Sequence, residues 1–239
     1  RTDVNYYTEP RDHTRVLSLN RSDPLSVFGA PAFRGPMRVS KNVYGHRQIA
    51  KVGGRLIEVV DAERTYPPIE YDTRGVWLEL PAALRDALHA NGESYARGGL
   101  HALEHLAIGL SPLCATCEPA DLGCQCTRRQ GDEHQERLLL FERRRGGVGV
   151  ADALQGDLSR LLQAAQARLE TCECEGGCLG CVHMAGCGEY NEGLDKEAAK
   201  AILRWLIQGE VPKPRGEVLK PRGEEGGEEG GGDEDVMIP

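Results

Sequence analysis

The sequence predicts an α+β fold, with a β-rich subdomain over residues 1–80, a helical subdomain packed on it over 81–209, and an acidic tail over 210–239. Three observations carry that prediction. Up to residue 80 the apolar residues alternate or come in short runs between Pro and Gly; from Pro81 they recur every three or four residues; and "EGGEEGGGDED" near the C-terminus has none.

Taken in order, "FGAPAFRGPM" (Phe28–Met37) is Pro/Gly punctuation, and Gly53-Gly54 sits between two strand-like runs as a hairpin turn would. In "VWLEL", Val76, Leu78 and Leu80 share one face, which predicts a half-buried strand. Pro81 suits the first turn of a helix over "PAALRDALHANG", which Asn91-Gly92 ends, and a second helix covers roughly 94–110. "ERLLLFE" (Glu136–Glu142) is a short buried strand, followed by the basic, glycine-rich turn "RRRGGVGV". Leu154, Leu158, Leu161, Leu162, Ala165 and Leu169 mark a third helix. Asp195 can cap a last one, "KEAAKAILRWLI", with Ala198, Ile202, Trp205 and Leu206 on one stripe. Beyond it "KPRGE" occurs twice, from Lys213 and Lys220. The tail that follows cannot offset its own ordering entropy and is expected to be disordered.

The 29 Lys and Arg against 37 Asp and Glu leave a net charge of −8, most of it in the segment 222–239. The remainder is near neutral, which argues against a free-standing, strongly basic nucleic-acid binder. No apolar run reaches the roughly 18 residues of a membrane helix, and no signal-peptide pattern opens the chain. It reads as a soluble, intracellular protein of the cytoplasm, nucleoid or nucleus. The start at Arg1 rather than Met reads as a piece of something longer.

All nine cysteines fall between Cys114 and Cys187. Disulfide frameworks spread through secreted chains and tend to even counts, whereas clustering on short spacers favours a metal. A catalytic thiol needs a neighbouring base rather than more thiols. Cys178-x2-Cys181 forms a knuckle of the kind that reaches one zinc ion from a tight turn, and Gly176, Gly177 and Gly180 offer it positive φ. Cys174 and Cys187 complete a structural set of four cysteines, closed to water; Cys172 is a spare thiol that could replace Cys174. His183 reads as a loop histidine. Cys114, Cys117, Cys124 and Cys126 offer a second zinc set, or else pack as buried thiols.

His101-x-x-Glu104-His105 matches the H-x-x-E-H pattern of inverted zinc peptidases, with two histidines on one helical face and a glutamate to activate water. The alternative is a pair of half-buried histidines that organise their helix near the cysteine sites. No G-x-x-x-x-G-K-[ST] loop occurs, so this chain is not by itself a P-loop ATPase. Arg143, Arg144 and Arg145 precede Gly146-Gly147 at a strand-to-helix junction, where backbone amides attract phosphate; they are the candidate nucleic-acid contacts, and Trp77 a candidate base-stacking residue.

Several segments together resemble a known domain: "YYTEPRDHT", "VYGHRQI", "YDTRGVWLELP", "HALEHLAIGLSPL", "DLG", "RGGVGVADAL" and "CECEGGCLGCVHMAGCGEYNEGLDKEAA". The order is that of the MrfA-type zinc-binding (MZB) domain, at the C-terminus of superfamily-2 helicases of the mitomycin-repair family and their RecQ-related relatives. The resemblance runs over roughly 4–207, and its most specific part is C-x-C-x3-C-x2-C-x5-C followed by N-x2-L-D-K. It implies an accessory domain of an ATP-dependent 3′ to 5′ DNA helicase acting in repair. The motor domains, with their ATP and Mg2+, would lie upstream in cis, and single-stranded DNA would be the partner. It also implies zinc on Cys174, Cys178, Cys181 and Cys187. Family members commonly have Asp-x-x-Pro-Gly-Gly where this chain has "FERRRGG". The rival classes are a zinc peptidase and a protein-docking module that uses the acidic tail.

Overall fold

The computed structural model describes residues 5–63, 66–125 and 136–212, so the acidic tail from 213 onward and Cys126 lie outside the described residues. Five strands come first: β1 (Tyr6–Leu19), β2 (Asp23–Val27), β3 (Ala30–Ala50), β4 (Leu56–Asp61) and β5 (Ile69–Glu79). Two helices follow, α1 (Ala82–His89) and α2 (Glu93–Leu110). The short strand β6 (Leu122–Cys124) and β7 (Arg137–Glu142) lead to α3 (Val150–Thr171) and α4 (Lys196–Gln208).

The 21-residue β3 is the spine of one antiparallel sheet. Its first half pairs with β5 from Ala32 to Lys41, and its second half pairs with β4 from Gly45 to Ile49 across the turn where Gly53 and Gly54 take positive φ. The order β1-β3-β5-β7-β6 then brings two strands from beyond residue 80 into the same sheet.

Side-chain alternation divides the sheet's residues between two faces. Ala32, Val76, Leu78, Leu138 and Leu140 face the helices and join the main core with α2, α3 and α4. The opposite face is also covered: Trp77, Met37, Val39, Leu139 and Phe141 form a second, smaller cluster. Trp77 is 1% exposed and stacks on Phe33 with ring centres 5.8 Å apart, so it is a core residue and not available to stack on a base.

The helical layer depends on close approach of α2 to α4. A Cβ on Gly99 would stand 2.6 Å from the Ala198 Cβ, and one on Gly98 would stand 2.6 Å from the Gly193 carbonyl oxygen. Small residues there let the helices meet at native packing density. Asp195 caps α4, its Oδ1 accepting from the Ala198 amide at 2.8 Å. The result places the end of α3, the start of α4 and the middle of α2 around the segment 172–195.

Candidate metal centre

α3 ends at Thr171, and Cys172 is already extended at φ −84°, ψ 115°. In extended backbone, residues two apart point to the same side, so Cys172 and Cys174 set their sulfurs side by side at 3.4 Å. The chain then turns through Gly177 at φ +126°, where a Cβ would meet Val182 and His183, and enters the knuckle. Cys181 N donates to Cys178 O at 2.9 Å, and Cys178 N donates to Cys181 Sγ at 3.3 Å. Gly176 and Gly180 do not adopt positive φ. Gly180 instead leaves room for the Arg168 guanidinium: a Cβ there would stand 2.6 Å from its Nη2, and Arg168 Nε donates to the Gly180 carbonyl and holds the turn against α3.

Four thiols thus meet: Cys172, Cys174, Cys178 and Cys181 lie within 4.8 Å of one another. Neighbouring sulfurs are separated by 3.4 to 3.6 Å. A disulfide would require about 2.0 Å. Tetrahedral zinc with Zn–S near 2.3 Å sets sulfurs about 3.8 Å apart, so a small outward adjustment accommodates the ion. Four thiolates around a divalent cation carry two excess negative charges, and the buried Lys196 answers them. Its Nζ donates to Cys172 O at 2.7 Å, to Cys174 O and to Cys174 Sγ at 3.2 Å. Burial acts against ionisation of Cys174, but hydrogen bonds from Lys196 and from the other thiols outweigh it and hold the thiol down at about 6. Burial pushes Cys181 up to about 12. Binding a metal must therefore displace protons, that of Cys181 above all. Because the Cys174 pKa is lowered, its thiolate is present at neutral pH and is lost as pH falls through about 6. Zinc retention should follow the same direction. Lys196→Met is expected to move zinc release to higher pH, read as dye-detected zinc during a downward pH titration; a midpoint unchanged from wild type would remove this role for Lys196.

The ligand set expected from spacing needs correction: Cys172 takes the place assigned to Cys187. The loop after the knuckle is closed by Asn191, whose Oδ1 accepts from Met184 N at 2.8 Å and whose Nδ2 donates to Met184 O at 3.0 Å. Gly186 turns with φ +77°, and Tyr190 lies under the Arg47 guanidinium, 3.2 Å from its ring centre. This path carries Cys187 to α2, where its Sγ lies 3.5 Å from His101 Nε2. The extended C-x-C at the end of a helix was the signal that could have favoured Cys172.

Among the described residues, Cys114, Cys117 and Cys124 do not form a metal-sized group, and Cys126 lies outside them. Cys117 Sγ sits 3.4 Å from Ser111 Oγ beside the end of α2, while Cys124 is carried away on β6. His101 and His105 do share a face of α2, with ring centres 4.3 Å apart. Glu104 is not placed as a catalytic base. It is 2% exposed, and its Oε1 accepts from Leu139 N at 3.2 Å, extending the ladder of β7 where β6 stops. Burial, reinforced by Cys124, pushes its carboxyl well above the usual carboxylate range.

Arg143, Arg144 and Arg145 are exposed between β7 and α3. Two of the amides at the start of α3 are already engaged: Glu142, fully buried, accepts from Val148 N and from Ala151 N, the latter at 3.0 Å. Thr73 Oγ1 donates to the Glu142 and Arg144 carbonyls at 2.6 and 2.9 Å and fixes the loop to β5. The arginines present side-chain charge only, and Arg144 leans 3.6 Å from Asp121.

Residues 103–182 match the family model of the MrfA Zn-binding domain, a segment that contains all four clustered thiols and stops short of Cys187. Over those residues the chain is similar to the MZB domain. The matched family is a zinc-binding one, and the four-thiol group that follows α3 fits zinc. The chain is 24% identical over 221 residues to the ATP-dependent helicase HRQ1 of Saccharomyces cerevisiae, covering 87% of this chain and 20% of the relative. It is 25% identical over 224 residues to its namesake in Schizosaccharomyces pombe, covering 86% and 20%. The chain thus spans about a fifth of the length of these helicases. A crystal structure of the helicase MrfA bound to DNA shares its fold, with a TM-score of 0.54 at 20% identity over 88% of this chain and 26% of that one. No described helix is long and apolar enough to cross a membrane.

Proposed function

We propose that this chain is the C-terminal zinc-binding accessory domain of an ATP-dependent 3′ to 5′ DNA helicase acting in DNA repair, and that it steadies single-stranded DNA for a motor supplied by the same polypeptide. The observation that carries the reading is the meeting of Cys172, Cys174, Cys178 and Cys181 inside the segment that matches the MZB family. Zinc bound there supplies cross-linking rather than reaction chemistry, since four thiolates complete its tetrahedral shell. The residues around it act as a frame: Arg168 braces the knuckle from α3, and Lys196 offsets part of the site's negative charge from α4. At the other end of α3, Thr73 and Glu142 hold the loop of Arg143–Arg145 on the sheet, where exposed guanidinium groups can pair with phosphates.

In the full-length protein, Arg143→Ala, Arg144→Ala and Arg145→Ala combined are expected to weaken single-strand binding about tenfold at low salt and to lower the salt dependence by ~2 log units per log unit, as three phosphate contacts would. Affinity, salt slope and unwinding rate all equal to wild type would sink the loop's role.

A further inference from the structure

Outside the four-thiol group a second set of donors converges, and we propose that His101, His105 and Cys187 hold a second zinc ion. Their ligand atoms lie within 4.8 Å of one another. Zinc at about 2.0 Å from nitrogen and 2.3 Å from sulfur, at tetrahedral angles, separates the two by about 3.6 Å; Cys187 Sγ and His101 Nε2 stand 3.5 Å apart.

The state of His105 is the second, independent observation. The residue is 2% exposed, and its Nδ1 lies 2.9 Å from the Val182 carbonyl oxygen. A carbonyl only accepts, so Nδ1 carries the proton, and in the neutral ring Nε2 presents a lone pair. That atom is buried with no hydrogen-bond partner. An unmet acceptor at such depth is costly, by about 1–3 kcal/mol, and the arrangement of a ring N–H on a backbone carbonyl with the other nitrogen bare is that of a metal-bound histidine. A thiol proton does not resolve it: Cys187 lies 3.5 Å from His101 Nε2 and also faces His105, and its one proton cannot serve both ring nitrogens. One cation satisfies both imidazoles and the thiolate together.

Three protein donors leave one position of a tetrahedral ion. Cys187 also lines a cleft of about 250 Å³, with Cys124, Met184, Gly186 and Gly188 around it, from which water completes the shell. The two ions divide the work of holding the segment after α3. The four-thiol site closes the knuckle on the end of α3, and the second ties the middle of the following loop to α2, beside the His105 hydrogen bond to Val182.

Purified under reducing conditions from zinc-supplied cells, the chain is expected to carry two zinc ions by native mass spectrometry. Cys187→Ser and His105→Gln should each carry one. A single zinc in the wild type, or two in both variants, overturns the proposal. Because either variant could misfold, zinc-edge X-ray absorption of the wild type gives a second readout: a nitrogen shell near 2.0 Å beside sulfur near 2.3 Å is expected, and sulfur alone overturns it. The four-thiol reading fails separately. If Cys178→Ser keeps every ion, that reading is lost, while a nitrogen shell that persists in Cys178→Ser as the sulfur shell weakens supports the second site.

Discussion

Cys178→Ser is expected to lower the melting temperature by roughly 10 °C or more and to abolish hydrogen-exchange protection at the start of α4, with the strands little changed. The reason is that the segment 172–195 contains no helix or strand of its own, yet it buries Val182 completely and Cys181 nearly so. Backbone hydrogen bonds within the knuckle are few, and without a cation nothing ties the four sulfurs to one another. Zinc binding in small peptides is worth ~10–16 kcal/mol. Only part of that supports a domain with its own sheet and core; a net loss of about 3–5 kcal/mol would move the midpoint by about 2–4 °C for each kcal/mol in a chain of this size. A strong chelator should have a larger effect than Cys178→Ser, because it strips every bound ion. A melting temperature within about 2 °C of wild type would mean that the knuckle is held by something other than metal.

The second large effect is expected at Glu142. Glu142→Ala should cost about 3 kcal/mol and melt the first turn of α3, seen as a lowered melting temperature and faster amide exchange at Val148 and Ala151. Glu142 is 0% exposed, and its two oxygens take the amides of Val148 and Ala151, donors that have no partner within a helix. Hydrogen bonds to a charged acceptor contribute about 1.5–3 kcal/mol each, and the stranded donors add their own burial cost. Glu142→Gln, with one acceptor oxygen kept and one amine now facing a donor, should fall between. An exposed turn residue in that place would give a change under about 0.5 kcal/mol, which would refute the capping role.

Much of this was legible from local pattern. The three- and four-residue spacing of Leu154 through Leu169 is α3, Asp195 does cap α4, and Gly53-Gly54 does turn between β3 and β4. These features depend on neighbours in sequence, and short-range sterics decide them. The two faces of "VWLEL" were only half legible. Val76 and Leu78 face the helices as alternation requires, but Trp77 is buried too, because β1 and β3 bring Val16, Leu19 and Phe33 over the far face. Glu142 was read as the end of a strand, and nothing local announces that its carboxylate reaches nine residues ahead.

By itself the sequence determined that several thiols are crowded where one helix ends and another begins, that a basic loop precedes α3, and that histidines four apart share a face of α2. Tertiary structure alone decided the partners. Four sulfurs can close on one ion only if the backbone delivers them within about 4 Å of each other. The turn at Gly186 and the Asn191 clasp send Cys187 toward α2, while the extended end of α3 brings Cys172 into the group. Spacing counts residues along the chain, whereas coordination depends on distance through space, and the path of a loop between two helices is set by what it packs against.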